Sequence, residues 1–393
     1  MTGNRKNRAL THQGAELKTR VARTRSRAQF VGIIYFISII LLATAAFLPF
    51  FDVEKQQHAP VGVFAALKVF EPASLQSLNT WAGMLTFINA LLYLTMLLVV
   101  VINVIRASTK LGWLFKKKVS KTYGFNRNVY AMDDLGKIFS CSYSVMLIKY
   151  FLTAMLCGVV YPNLLMYIVF IVGALVHVFA GVVGGKVSYF NVEEGQITED
   201  ARVVGRFSAF FRNVLQLIVV FVCMDYFQKV NVLAKSIGPL LEVNAINNYV
   251  LNQPMAYVSV VLQLLGIIFL IPLVKHATAT TEYNIDGAYG AGMKTFRVFS
   301  FLLFLAIGGA VAAQYLFGQV AFTVVGGVTA VEVVGALAIN TEVATMAAIV
   351  LGMFFIEVLM RNMPGHKKAN SRKSRDDEDD EDSKPAVVLY VYK

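Results

Sequence analysis

Charged side chains are scarce in this chain, which argues against an ordinary soluble protein. Asp, Glu, Lys and Arg make up 15% of the 393 residues, whereas 57% are hydrophobic and the mean hydropathy is +0.61. Soluble domains usually carry about a quarter charged residues. Long apolar runs recur along the whole sequence, so the composition predicts a polytopic membrane protein.

Cysteine and histidine are also scarce, and neither has the spacing of a metal or catalytic site. The three cysteines lie in or beside apolar runs without a CxxC pair, so we expect free thiols and no disulfide framework. The five histidines include no HExxH or similar pair. GxSxG is absent. We therefore predict no metal, no cofactor and no catalytic residue. Only Asp133-Asp134 favours an enzyme acting on lipid-linked substrates.

Eight apolar stretches are long enough to cross a bilayer. A spanning helix needs roughly 20 mostly apolar residues, and lipid offers no partner to an unpaired backbone. We therefore predict an all-α membrane protein, a helical bundle of about eight transmembrane helices. The candidate spans are 30–50, 82–105, 138–160, 164–187, 209–228, 255–274, 298–317 and 342–360.

The distribution of Lys and Arg predicts the orientation of these spans. Of the 36 such residues, 31 lie in segments that the eight spans place on one side. Positive loops face the cytoplasm, so both termini are predicted to be cytoplasmic. The basic charge then matches anionic lipid headgroups, and a nucleic-acid partner is not needed to explain it.

This topology divides the chain into five parts. They are a basic cytoplasmic arm (1–29), a first four-helix half (30–187), a cytoplasmic connection (188–208), a second four-helix half (209–360) and a charged, disordered tail (361–393). The halves have the character of a repeat, because Lys137-Ile-Phe-Ser140 matches Arg297-Val-Phe-Ser300 at an offset of 160. The alternative is that every inner loop ends in a cation and an aromatic residue.

Two loops carry predictions of their own. In NIDGAYGAGMKTFRVFS (284–300), Gly287 and Gly292 have the spacing of a phosphate-binding loop, but Met293 precedes Lys294 and no strand comes before. We therefore interpret the stretch as a tight inner connection. β-Branched runs on both sides of Gly326-Gly327 predict a small extracellular β-hairpin at 320–335; an irregular apolar loop is the alternative.

Ionisable residues inside the predicted spans are the candidate site for a substrate or an ion. Lys149 shares a helix face with Ser142 and Thr153, and that face should point into the bundle. Counting from the turn near residue 162 puts His177 within about one helical turn of the depth of Lys149. The third candidate is Glu357, which can instead pair with Arg361. The predicted helix-packing residues on the fourth span are Gly173, Gly181 and Gly185.

Two functions fit these patterns. The first is a transporter or permease of unknown substrate in the cell membrane, based on the candidate site and the repeat. The second is a non-catalytic scaffold or assembly subunit that binds other proteins, or further copies of itself, through its helices and its charged termini. For Lys149 and His177 the structural alternative is a shallow lysine and a histidine bonded to a backbone carbonyl.

Overall fold

The chain is described by a computed structural model over thirteen segments. They are residues 3–47, 62–116, 126–157, 164–184, 187, 189–193, 196–200, 206–230, 257–278, 288–317, 319–325, 328–334 and 351–352. Helices account for most of these residues. They are α1 (Gly3–Ala46), α2 (Val63–Lys68), α3 (Pro72–Leu75), a 3-10 turn (Gln76–Asn79), α4 (Trp81–Phe115), α5 (Arg127–Cys157), α6 (Leu164–Gly184), α7 (Arg206–Val230), α8 (Tyr257–Ala277) and α9 (Ala288–Phe317).

Four helical segments in the described part of the chain are long and apolar enough to cross a membrane. They are Thr19–Ala46, Ala82–Phe115, Tyr257–Ala277 and Val298–Phe317. Shorter apolar stretches lie in α6 and α7. The four long helices indicate a membrane protein. The span predicted at 342–360 lies outside the described residues except for 351–352, so the count of eight stays a prediction.

Large apolar side chains point away from the bundle in rows. On α4 the exposed row includes Leu91, Leu98, Ile102 and Ile105, which are spaced to share one helix face. α6 carries a similar row from Ile168 to Phe179. In water such continuous apolar surface would drive aggregation, whereas lipid tails cover it at no cost.

α5 lies at the centre of the bundle. It packs against α1 and α4 and also contacts α6, α7 and α8, while α9 packs on α8. α1 and α4 run antiparallel, because Arg25 reaches Lys116 at one end and Tyr93 reaches Ala46 at the other. We call these the Lys116 end and the Ala46 end of the bundle.

Local sequence explains where α4 begins. The Thr80 hydroxyl accepts a hydrogen bond from the Gly83 amide at 3.1 Å, which caps the first turn. A Cβ at Gly83 would overlap the carbonyl of Ser77, so the approach of the 3-10 turn requires glycine here. The described part of the segment between α1 and α4 thus contains short helices.

Three helices start earlier than the sequence predicts. α1 runs without a break through the basic arm, and α5 begins at Arg127 instead of near residue 138. α9 begins at Ala288, so Gly290 and Gly292 lie in its first turns and not in a tight connection. Each helix extends into the polar residues that precede its apolar run, because those residues also favour helix. Hydropathy identifies only the apolar part of a helix.

Two antiparallel hairpins complete the described structure. β1 (Tyr189–Glu193) pairs with β2 (Gln196–Asp200), and β3 (Gln319–Val325) pairs with β4 (Val328–Val334). The second lies where a hairpin is predicted at 320–335, and its extracellular side stays a prediction. The first was not anticipated within the connection 188–208. Its signal in the sequence is the dipeptide Glu194-Gly195 between β-compatible runs.

Gly173 permits close contact between α5 and α6 and offers a test of the packing. Gly173→Ala should lower the free energy of unfolding by about 1–3 kcal/mol, because the added Cβ overlaps the Tyr143 ring. Gly308→Ala is the matched control, since a Cβ there meets nothing within 4 Å. It should be neutral or stabilising by up to about 1 kcal/mol. Thermal unfolding in detergent measures both; equal effects would contradict this packing.

Candidate functional site

α5 combines a central position with an unusual number of buried polar side chains. Ser140, Ser142, Ser144, Lys149 and Thr153 are all buried. Among its described side chains, Tyr130 is the only large hydrophobic that is exposed. α5 therefore has no lipid-facing apolar row, and its polar side chains are shielded from lipid by its neighbours.

A direct hydrogen bond links α4 and α5 inside the bundle. The Asn103 amide nitrogen donates to the Ser142 hydroxyl at 3.0 Å, and that hydroxyl donates to the Ile138 carbonyl at 3.0 Å. Asn103 and Ser142 are both buried. Each polar atom in this chain of bonds is thus removed from lipid together with its partner.

Lys149 lies nearer the Ala46 end of the same interface. It is 7% exposed, and its Nζ lies 5.4 Å from the centre of the Tyr93 ring, a cation–π geometry. The Tyr93 hydroxyl donates at 3.2 Å to the carbonyl of Ala46, the last residue of α1. The lysine therefore approaches the carbonyl end of α1, where the helix dipole favours positive charge.

The register of the two helices also places a third pair of polar residues opposite each other. α4 and α5 run antiparallel, with Asn103 opposite Ser142 and Tyr93 opposite Lys149. Four residues further on each helix, Asn89 comes opposite Thr153. Both are buried, and the Thr153 hydroxyl has no hydrogen-bond partner among the described residues.

The six residues of these three pairs define the α4–α5 seam. They are Asn89, Tyr93, Asn103, Ser142, Lys149 and Thr153. The three on α5 are buried as their spacing predicts. The three on α4 were missed, although they are polar or amphipathic positions in the apolar run 82–105.

His177 lies elsewhere on the bundle. It is fully buried on α6, one turn beyond Gly173, which packs on the Tyr143 ring. The Tyr143 hydroxyl donates to the Phe170 carbonyl at 2.9 Å, and the Tyr150 ring faces Phe170. These contacts set an antiparallel register in which His177 is displaced by roughly two turns, about 12 Å, from the level of Lys149.

The remaining predicted site residues are not brought to the seam. Glu357 and Gly185 lie outside the described residues, and Gly181 is on α6 in a turn whose side-chain surroundings are not described. Asp134 forms an ion pair with Lys110 at 2.6 Å, so this acid already has a cation beside it. Over the described part of the chain, no group of three or more His, Cys, Asp or Glu could hold a metal ion.

The pair α8–α9 approaches through small residues, although Ser259, Gln263 and Ser300 are also buried on these helices. A Cβ on Gly266 would meet Phe227 at 2.6 Å and Ala306 at 3.6 Å, and one on Gly309 would meet Leu262 at 3.0 Å. Small residues here let the backbones approach closely, the usual way in which membrane helices associate. Buried polar side chains thus occur in both pairs, and among the described side chains the α4–α5 pair differs in containing a buried lysine.

Comparison with known proteins yields no relative. No family model, no curated protein and no solved structure matches this chain. Function is therefore argued from the geometry alone.

The bond between Asn103 and Ser142 can be tested by a double-mutant cycle. With Asn103→Ala and Ser142→Ala, we expect a coupling of about 0.6–1.7 kcal/mol in the free energy of unfolding, the range of interhelical hydrogen bonds in membranes. Ser144→Ala replaces Ser142→Ala in the control cycle, because Ser144 donates to Ser140 on its own helix. Equal coupling in both cycles would contradict a specific α4–α5 bond.

Proposed function

We propose that this chain is a multi-pass transporter or permease of the cell membrane and that the α4–α5 seam binds its solute. The observation that carries the proposal is Lys149, a buried lysine beside Tyr93. It lies one turn from Thr153, whose hydroxyl has no hydrogen-bond partner in the described part of the chain. Ionisable residues within spanning helices are functional candidates by default because burying them is costly. A lysine at this position favours a small anionic solute.

The chemistry of the seam suits such a solute. Lys149 supplies positive charge, and Thr153 supplies a hydroxyl donor in a region from which water is largely excluded. Asn89 adds a side-chain amide, which the register of α4 and α5 places opposite Thr153. The Tyr93 ring lies beside the Lys149 ammonium and stabilises it by a cation–π interaction, which does not neutralise its charge.

The proposal includes the predicted topology. Both termini lie in the cytoplasm, eight helices cross the membrane, and two four-helix halves are related by a repeat. The antiparallel pairs α4–α5 and α8–α9 support a repeat in arrangement. Among the described side chains, a buried lysine occurs only in the first pair, so we propose that the two halves differ in chemistry.

Ligand binding can be tested before a substrate is known. A ligand that binds only the folded state raises its stability by about 2.7 kcal/mol at one hundred times its Kd. We expect at least one member of a panel of carboxylates, sulfate, phosphate and phosphate esters to raise the melting temperature of the wild-type protein. Lys149→Met should weaken that binding about 10- to 100-fold, from the loss of about 1.5–3 kcal/mol in a charged hydrogen bond.

The control for this experiment is Lys137→Met, which removes an exposed lysine from the same helix. His177→Ala should also leave anion binding unchanged, since His177 lies about two turns away. The best ligand is then tested for uptake into proteoliposomes. Unchanged binding in Lys149→Met, or no stabilising anion at all, would refute the proposal.

The orientation can be tested with epitope tags. A tag inserted between Val325 and Val328 should react with antibody on intact cells, because the hairpin β3–β4 is proposed to be extracellular. A tag after Lys393 should react only after permeabilisation. The reverse pattern would refute the assignment of the termini.

A scaffold is the second candidate, and the length of α1 favours it. α1 has 44 residues, about 66 Å at 1.5 Å per residue, whereas the hydrocarbon core is about 30 Å thick. Residues 3–18 extend the helix beyond the candidate span that begins at Thr19. If this arm binds partners, deleting residues 3–18 should dissociate the complex extracted from native membranes while leaving the melting temperature of the isolated chain unchanged.

A further inference from the structure

Two cationic side chains lie beside one tryptophan ring at the Lys116 end of the bundle. The Lys110 Nζ lies 4.5 Å and the Arg127 guanidinium carbon 5.3 Å from the centre of the Trp113 ring. Lys110 also pairs with Asp134 at 2.6 Å. We call Arg25, Lys110, Trp113, Lys116 and Arg127 the Trp113 cluster.

α1 brings further positive charge to the same place. The Arg25 guanidinium donates to the Lys116 carbonyl at 3.2 Å, so the side chain of Arg25 and the backbone of Lys116 are in contact. Asp133 and Asp134 at the start of α5 offset part of the charge of the four cations. The four cations still outnumber the two acids, and Arg23 and Arg27 lie within two residues of Arg25 along α1. The surroundings of Trp113 therefore carry a net positive charge.

The cluster lies where the chain passes from basic to apolar. The basic residues of α1 end at Arg27, and the exposed apolar row of α1 begins at Phe30. The Gln29 amide donates to the Leu114 carbonyl at 3.3 Å, so Trp113 is level with this boundary. Amphipathic Trp rings favour this depth, at the lipid headgroups.

One donor in the cluster lacks an acceptor within the described part of the chain. The Arg127 Nε is buried and has no hydrogen-bond partner there. A buried charged donor without an acceptor is costly, about 1–3 kcal/mol or more. A phosphate oxygen is a suitable acceptor, because guanidinium groups bind phosphates with short, strong hydrogen bonds.

Exposed apolar surface next to the cluster identifies the source of that phosphate. Phe30 is 54% and Phe115 is 49% exposed, one on each of the two helices that meet at the cluster. A free phosphate makes no use of such surface, whereas a phospholipid covers it with its acyl chains. The combination fits an amphiphile with an anionic head.

We propose that the Trp113 cluster is a specific site for an anionic phospholipid of the leaflet at this end of the bundle. The phosphate accepts a hydrogen bond from Arg127, and the positive surroundings select a lipid with net negative charge. The acyl chains lie along Phe30 and Phe115. This site is independent of the α4–α5 seam, which lies deeper in the bundle.

Trp113 itself can report occupancy. The chain has two tryptophans, so Trp81→Phe leaves Trp113 as the only one. The full chain with this change is reconstituted into phosphatidylcholine vesicles that contain a minor fraction of brominated phosphatidylglycerol. We expect quenching of Trp113 fluorescence at least about threefold above that given by brominated phosphatidylcholine at the same mole fraction, since anionic lipid accumulates at basic sites.

Two variants assign the effect to Arg127. Arg127→Gln should reduce the excess quenching to the mole-fraction level. Arg106→Gln, which removes an exposed arginine of α4 near the same end, should retain it. If Arg127→Gln does not fold, as judged by its elution profile and helical content, Arg127→Lys replaces it and should lose at least half of the excess.

Three results would overturn the proposal. The first is wild-type quenching that only follows the mole fraction of the brominated lipid. The second is equal excess in the Arg127 and Arg106 variants, which would indicate a diffuse attraction to the basic surface. The third is loss of the excess on adding millimolar inorganic phosphate at constant ionic strength, which would indicate a free-phosphate site.

Discussion

Lipid cannot hydrogen-bond a polar side chain, and α5 carries such side chains along its whole length. The bundle is arranged around that constraint. α1, α4, α6, α7 and α8 all contact α5, so its serines, its threonine and Lys149 are covered by protein. The apolar rows of α4 and α6 are left to face the tails. A central helix with only apolar side chains would not need to be covered by other helices. A leucine side chain is as stable in contact with lipid as in contact with protein.

The two antiparallel pairs solve the same packing problem differently. α8 and α9 approach through Gly266, Gly309 and Ala306, and van der Waals contact holds them. α4 and α5 are joined by buried polar groups, of which Asn103 and Ser142 bond directly. Burying polar side chains costs more free energy than packing small apolar ones. The α4–α5 pair, which contains the buried lysine, bears this cost. What distinguishes the α4–α5 seam among the described side chains is its buried lysine, since Ser259, Gln263 and Ser300 are buried polar residues of the other pair.

Basic residues at the Lys116 end make specific contacts with α4. Arg25 and Gln29 donate to the last carbonyls of α4, which have no partner within their own helix. Lys110 and Arg127 enclose an interfacial tryptophan. Basic side chains at this end therefore cap the end of a helix, and the buried Arg127 Nε is left without a hydrogen-bond partner among the described residues.

The sequence alone determined the membrane class, the approximate places of the apolar helices, the hairpin near residue 325 and the buried face of Ser142, Lys149 and Thr153. All of these follow from hydropathy and periodicity, which are local properties. Only the tertiary structure decided which helix is central, that Tyr93 lies beside Lys149, and that His177 is displaced by about two turns. Depth counted from a turn assumes a register, and the register of two helices is set by side-chain contacts such as Tyr143 on Gly173, which no spacing within one helix encodes.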